Sequence, residues 1–184
     1  MEQPPTAHER VEKILSEISK ILEKAEKPVG EKLKEYVAKE PKQDQIFSTL
    51  ELFSDQNYCI TYNRFYVKDE GGRKVLQTEW GTDGTAESAG ESFIPELDAY
   101  AAKAFDGIDY SDAEQQDFGP RHSKQLFEWF AKCWQAAGGE QSKTPTYFAM
   151  NKEYMCQDFK TGEIITEEET AKRLGHPVRG LASL

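Results

Sequence analysis

The residues best suited to chemistry are carboxylates that crowd one short stretch of the chain. They are Asp106, Asp109, Asp112, Glu114 and Asp117. Calcium takes several carboxylates at one loop, and carboxylates that face each other across a cleft can act as general acid and base. The EF-hand pattern D-x-[DN]-x-[DN]-G is absent. A carboxylate-based or metal-assisted enzyme that uses the acidic loop 106–117 is one hypothesis for function.

The histidines and cysteines do not have the spacing of a zinc site or of a nucleophilic pair. The chain has no C-x-x-C, and His8 with Glu9 matches only half of H-E-x-x-H. His122 and Cys133 are roughly 16 Å apart along a helix, whereas a catalytic pair needs hydrogen-bond contact of about 3 Å. We therefore expect no metal, with Cys133 in the core and His122 partly buried and hydrogen-bonded.

The glycine-rich stretch 81–90 does not have the pattern of a phosphate-binding loop. It contains neither G-x-G-x-x-G nor the G-K-[ST] ending that places a lysine on phosphates. The chain also has no G-x-S-x-G nucleophile elbow. The stretch is typical of a mobile surface loop, and the sequence predicts no cofactor.

The charge of the chain is concentrated in its middle, which we call the acidic segment, residues 69–119. The net charge is −10, and this segment holds thirteen acids against three bases. Such a segment repels nucleic acid and anionic lipid, so we expect neither as a partner. It is either a solvated, solubilising face or a docking face for a basic protein.

The function favoured by this charge is a non-catalytic protein-binding module, with the physical character of a small acidic inhibitor or an immunity protein. A tryptophan beside acids suits an interface with a basic partner, although Trp80 also fits the core at a strand end. The candidate partner-binding residues are Trp80, Asp83, Glu87, Asp106, Asp109, Asp112, Glu114 and Asp117.

The N-terminal part, residues 6–40, reads as two amphipathic helices. Apolar residues recur at helical spacing over 7–26, and Thr6 with Glu9 has the capping-box pattern. Pro28 predicts a break before a second helix over 29–39. The first helix packs on its own domain or serves as a dimer arm, so the sequence leaves monomer and dimer undecided.

The rest of the chain alternates strand and helix signals. Strands are predicted at 46–53, 58–68, 74–80, 147–150, 154–159 and 164–165, and helices at 95–105, 120–137 and 166–174. The first of these strands is also compatible with a short helix. Residues 69–72 predict a hairpin turn, 109–117 an acidic loop with at most one helical turn, and 176–184 a loose tail.

The fold class expected from this order is α+β, with an antiparallel sheet and helices packed on it, in a single domain 1–184. No apolar run approaches the length of a membrane span, and the N-terminus does not resemble a signal peptide. Together with three widely spaced cysteines, these features predict a cytoplasmic protein.

Overall fold

The computed structural model describes residues 6–53, 58–79, 92–105, 110–150 and 155–177. Within these ranges the chain forms four α-helices and a six-stranded sheet, which confirms the α+β class. Several predicted segments lie outside the described residues, in whole or in part. They are the last residue of the strand 74–80, the loop 81–90, residues 106–109 of the acidic loop, the first residue of the strand 154–159 and the end of the tail.

The sheet is mixed, so the prediction of a purely antiparallel sheet is wrong. Its strands are β1 (Gln45–Phe53), β2 (Cys59–Asp69), β3 (Lys74–Glu79), β4 (Thr146–Met150), β5 (Met155–Gln157) and β6 (Ile164–Thr166), in the order β3-β2-β1-β4-β5-β6. All neighbouring pairs are antiparallel except β1 and β4, which are parallel. The helices between β3 and β4 carry the chain back to the end of the sheet at which β1 starts. Such a crossover is needed because two parallel strands must start at the same end.

The predicted hairpin between β2 and β3 is confirmed. Gly71 and Gly72 have φ angles of 64° and 83°, which glycine adopts without steric cost. Asp69 accepts a hydrogen bond from the Gly72 amide at 2.8 Å and so closes the turn. The segment 46–53, which the sequence left open between strand and helix, is the central strand β1.

The N-terminal helix α1 (Ala7–Val37) is one continuous helix, and the predicted break at Pro28 is wrong. The capping box of Thr6 and Glu9 starts it as expected. Its buried stripe continues past the proline through Val29 and Leu33. Burying each large apolar side chain contributes about 1.5–3 kcal/mol, which together outweighs the roughly 3 kcal/mol that proline costs inside a helix.

The long helix α3 (Asp112–Ala136) starts eight residues earlier than predicted, and Pro120 lies inside it. Ser111 is its N-cap and forms a capping box with Glu114, so the acidic stretch from Asp112 onward is helical rather than a loop. The shorter helices are α2 (Pro95–Ala104) and α4 (Glu167–Arg173).

Helices α1 and α3 pack side by side and run in the same direction. Near their starts Arg10 bonds Glu114, further along the Gln125 amide donates to the Leu15 carbonyl at 3.1 Å, and then the Trp129 indole donates to the Leu22 carbonyl at 2.8 Å. The apolar face of α1 is therefore covered by the chain's own core rather than left as an arm.

The two faces of the sheet carry unequal cores. Leu50, Leu52 and Phe148 belong to the larger core, which packs against α1, α2 and α3. The opposite face carries a smaller cluster of Phe47, Phe65, Leu76, Tyr147, Cys156 and Ala171, the last contributed by α4. None of the described helices is both long and apolar enough to cross a bilayer.

Candidate functional site

The structure describes three of the eight candidate site residues. Trp80, Asp83, Glu87, Asp106 and Asp109 lie outside the described residues. Asp112, Glu114 and Asp117 lie in the first two turns of α3. They have different surroundings, and we treat them in turn.

Glu114 is turned inward and joins α3 to α1. Its carboxylate accepts hydrogen bonds from the Ser111 hydroxyl at 2.7 Å and the Ser111 amide at 2.9 Å. Both Arg10 Nε and Nη2 reach its Oε1, at 2.7 and 2.6 Å. The Ser111 bonds, with Arg10 in addition, hold the pKa of Glu114 below its usual range. Because the side chain is only 1% exposed, it is not available to a partner in this conformation.

Asp117 and Asp112 face solvent to different degrees. Asp117 is partly exposed and contacts Arg121 at 3.4 Å and His8 at 3.5 Å. Arg121 and His8 in turn both contact Glu12, so two acids, an arginine and a histidine form a polar network on the seam between α1 and α3. Asp112 is exposed at the first position of the helix and forms no ion pair with a described residue.

A cavity of about 270 Å³ lies beside Glu114. Its lining residues are Val11, Ile14, Phe105, Tyr110, Glu114, Gln115 and Phe118. The Phe105 ring packs against Tyr110 and Phe118 with centroid distances of 5.5 and 5.4 Å, both strongly inclined. The Tyr110 hydroxyl donates to the Ala104 carbonyl at 2.7 Å, so this polar group is already satisfied. The cavity is therefore mostly apolar, with its polar groups engaged.

His122 is buried in the large core and hydrogen-bonded, where the sequence predicts a partly buried, hydrogen-bonded residue, and its imidazole is neutral at pH 7. Its Nε2 lies 3.2 Å from the Tyr58 hydroxyl, and the Phe118 ring stacks on it at 5.0 Å. Burial lowers the pKa of His122 to about 4, a shift that Gln125 partly opposes. Burial, with the charge of Asp98, raises the pKa of Tyr58 to about 12. The pair therefore joins a neutral imidazole to a protonated phenol and stabilises the core.

A second group of carboxylates, which the sequence did not reveal, lies on the face of the sheet that carries the smaller core. Glu51 of β1 is opposite Thr61 of β2 and beside Ala149 of β4. The amide of Asn63 donates to Glu51 Oε2 at 2.9 Å. Glu167 is the first residue of α4, which directly follows β6. It lies close enough to Glu51 for the charge of Glu51 to raise its pKa.

The two glutamates differ from ordinary surface carboxylates in their proton affinity. Burial raises the pKa of Glu51, although the bond from Asn63 lowers it in part. Burial raises the pKa of Glu167 to about 7, with further contributions from the charges of Glu51 and Glu168. Glu167 therefore keeps its proton to a much higher pH than an exposed glutamate does. A carboxyl group in this state can donate and accept protons.

All three cysteines are buried, and two of them have raised thiol pKa values, so they are poor nucleophiles. Burial, with the charge of Glu26, raises the pKa of Cys133 to about 12. Burial and the charges of Glu167 and Glu51 raise the pKa of Cys156 still further. Cys59 is also buried. Thiolates are the reactive form, so thiol catalysis is disfavoured at these positions.

Among the described residues no group of three or more His, Cys, Asp or Glu side chains is arranged to hold a metal ion. A longer groove of about 740 Å³ runs between α1 and α3. Its walls carry both acids and bases, such as Glu23 and Lys124, so its charge favours no single class of ligand.

The comparisons with known proteins gave no match: no family model, no curated protein and no solved structure matches this chain.

Proposed function

We propose that the chain is a non-catalytic protein-binding module whose acidic segment meets a basic surface on another protein. Its character is that of a small acidic inhibitor or an immunity protein. Complementary charge on two proteins speeds their association and selects the correct partner, and this supports a basic partner for an acidic surface.

The observation that carries the proposal is that most described carboxylates of the acidic segment have no cation beside them. Seven of its acids have described side chains: Asp69, Glu70, Glu96, Asp98, Asp112, Glu114 and Asp117. Glu114 and Asp117 pair with cations, and the other five form no ion pair with a described residue. On α1, by contrast, four of the seven acids are paired, namely Glu12, Glu17, Glu26 and Glu31. The described part of the segment therefore presents carboxylates that pair with no described cation.

The proposal is tested by selecting phage-displayed random peptides on the full chain at low salt. We expect the enriched peptides to be rich in Lys and Arg. Their affinity should fall about tenfold between about 50 and about 300 mM salt, chiefly through slower association, because salt screens exposed charges.

Two charge-matched variants make this test specific to the acidic segment. Asp112→Asn removes an exposed charge at the start of α3 and should weaken peptide binding about threefold, as expected for a charge at an interface rim. Glu128→Gln removes one exposed charge on the same helix outside the segment and should change binding little. Enrichment of neutral or acidic peptides, or equal effects of the two substitutions, would contradict the proposal.

A second candidate function, carboxylate-based catalysis, is favoured by the Glu51–Glu167 pair. The sequence assigned this alternative to residues 106–117. Among the described members of that stretch, Glu114 is bound to Arg10 and Asp112 points to solvent. Burial raises the pKa of both Glu51 and Glu167, while the bond from Asn63 opposes the shift at Glu51 and the charge of Glu51 adds to the shift at Glu167. Glu167 can therefore act as the acid while Glu51 is ionised.

Catalysis at this pair is tested with a panel of chromogenic esters, phosphoesters and glycosides, with and without divalent cations. Glu51→Gln and Glu167→Gln should each abolish any turnover, and Glu168→Gln should not. Turnover that survives both substitutions would exclude the pair as the catalytic groups.

A further inference from the structure

The cavity beside Glu114 has the size and lining of a receptor for one apolar side chain. Its volume is about 270 Å³, below the roughly 300–1,000 Å³ of pockets that enclose a drug-sized ligand. Val11, Ile14, Phe105 and Phe118 supply most of its walls. Binding energy at protein interfaces is concentrated in such pockets, each filled by an anchor residue of the partner.

The charges at the cavity determine which kind of side chain can enter. Among the described lining residues Glu114 is the single acid, and Arg10 already neutralises it with two nitrogens on one oxygen. A lysine inserted there would meet a carboxylate that is already paired, next to a guanidinium of like charge. An apolar side chain meets no such obstacle and gains the burial of its surface.

The charges outside the cavity favour a basic sequence around that anchor. Asp112 lies two residues before Glu114, is exposed, and forms no ion pair with a described residue. A positively charged residue beside the anchor would therefore face the exposed carboxylate of Asp112 while the anchor itself is buried.

We propose that this cavity receives a single large apolar side chain, such as Leu, Met or Phe, from a basic segment of the partner. The inference rests on the proposed function and adds to it the position and chemistry of the anchor. Gln115 stands at the edge of the cavity, exposed, with its side-chain amide donating to the Tyr110 carbonyl at 3.1 Å. It is the lining residue best suited to a test, because a larger side chain there can occupy the cavity without replacing a core residue.

The experiment uses the selected basic peptides and a matched pair of substitutions. Gln115→Phe places an aromatic ring at the mouth of the cavity, whereas Gln116→Phe places the same ring on the next exposed residue of α3, which does not line it. We expect Gln115→Phe to weaken peptide binding at least tenfold and Gln116→Phe to change it less than twofold. Replacing the apolar residue of the peptide by Ala should also cost at least tenfold.

A spectroscopic readout on the unmodified protein locates the anchor directly. In a methyl-labelled sample the peptide should shift the signal of Ile14, which lines the cavity, and leave that of Ile165, which lies in β6, unchanged. Thermal unfolding of both Phe variants checks that they remain folded.

The outcomes separate this inference from the function on which it rests. If no basic peptides are enriched, the proposed function and the inference both fail. If basic peptides bind but tolerate Ala at every apolar position, or bind Gln115→Phe and Gln116→Phe equally well, the cavity is not the anchor site while the acidic interface stands.

Discussion

At the scale of single residues, the environment of a carboxylate decides whether it serves structure, binding or proton exchange. Glu114 is buried against Ser111 and Arg10 and is held ionised, so it serves structure. Asp112 is exposed, forms no ion pair with a described residue and suits a partner. Glu167 is partly buried near Glu51, with a pKa near neutrality. Three acids of similar chemistry thus differ in role because of burial and neighbours alone.

Glu167 should make the free energy of unfolding depend on pH in a way that one substitution removes. Its pKa is about 7 in the folded state against 4.5 for an unperturbed glutamate. The folded state therefore holds the proton more tightly, and the stability due to Glu167 is complete below about pH 4.5 and is lost as the pH rises through about 7.

Glu167→Gln should reduce the loss of stability between pH 5 and pH 8 by about 1–2 kcal/mol, after allowance for partial solvent screening. Urea unfolding at several pH values measures the free energy of unfolding for both proteins. Glu169→Gln removes another charge from the same helical turn, one that does not contribute to the raised pKa of Glu167, and serves as the control. An unchanged pH profile for Glu167→Gln would show that Glu167 titrates normally in the folded protein.

At the scale of elements, the end of α3 depends on two adjacent glycines with different requirements. Gly138 has a φ of 85°, a conformation that suits glycine after a helix end. Gly139 is packed against the Trp134 ring so closely that a Cβ there would lie 2.1 Å from the indole nitrogen. Trp134 is buried, so its ring has little room to move.

Gly139→Ala should therefore destabilise the protein by about 1–3 kcal/mol, the usual cost of overpacking. Gly119→Ala, within α3 and with nothing near its added Cβ, should instead stabilise the protein by about 0.5–1 kcal/mol because alanine favours helix. Denaturant unfolding of both variants provides the comparison. Equal effects of the same sign would refute the packing argument at Gly139.

The elements were largely predictable from local signals, and the errors occurred where tertiary packing outweighs them. Periodicity and residue type indicated every helix and strand, except that α1 was divided into two helices and 46–53 was left open between strand and helix. Pro28 and the Gly119–Pro120 pair suggested helix boundaries that the buried stripes of α1 and α3 override. The pattern Ser111-x-x-Glu114 does mark the true start of α3, but the proline carried more weight.

The candidate site was predictable only in part, because it depends on distant segments. Glu51 and Glu167 approach each other through strand pairings that join β1, β4, β5 and β6, and no local pattern specifies the parallel pair. Glu114 was selected for its charge, yet its partner Arg10 lies 104 residues away. A single charged residue inside the apolar strand β1 was the one signal that could have drawn attention to Glu51.

At the scale of the whole molecule, the sheet separates a large core from a small one that depends on one short helix. The smaller cluster includes Phe47, Phe65 and Tyr147, and α4 contributes Ala171 to it. Removal of α4 would expose aromatic surface that water does not favour.

A chain that ends at Thr166 should therefore bind the dye ANS and associate at concentrations where the full chain does not, while most of its helical circular dichroism remains. A chain that ends at Pro177 keeps α4 and controls for loss of the tail. If both truncated chains behave like the full protein, α4 is not needed to cover the smaller core.

The parallel arrangement of α1 and α3 changes how the acids at their starts act on a partner. Each helix start carries roughly half a positive elementary charge from its aligned peptide dipoles, so the two starts together offset about one negative charge. Glu9, Asp112 and Glu114 lie in these first turns. An approaching basic surface therefore meets a field weaker than the count of carboxylates suggests, which is why Asp112→Asn should weaken peptide binding by no more than about threefold.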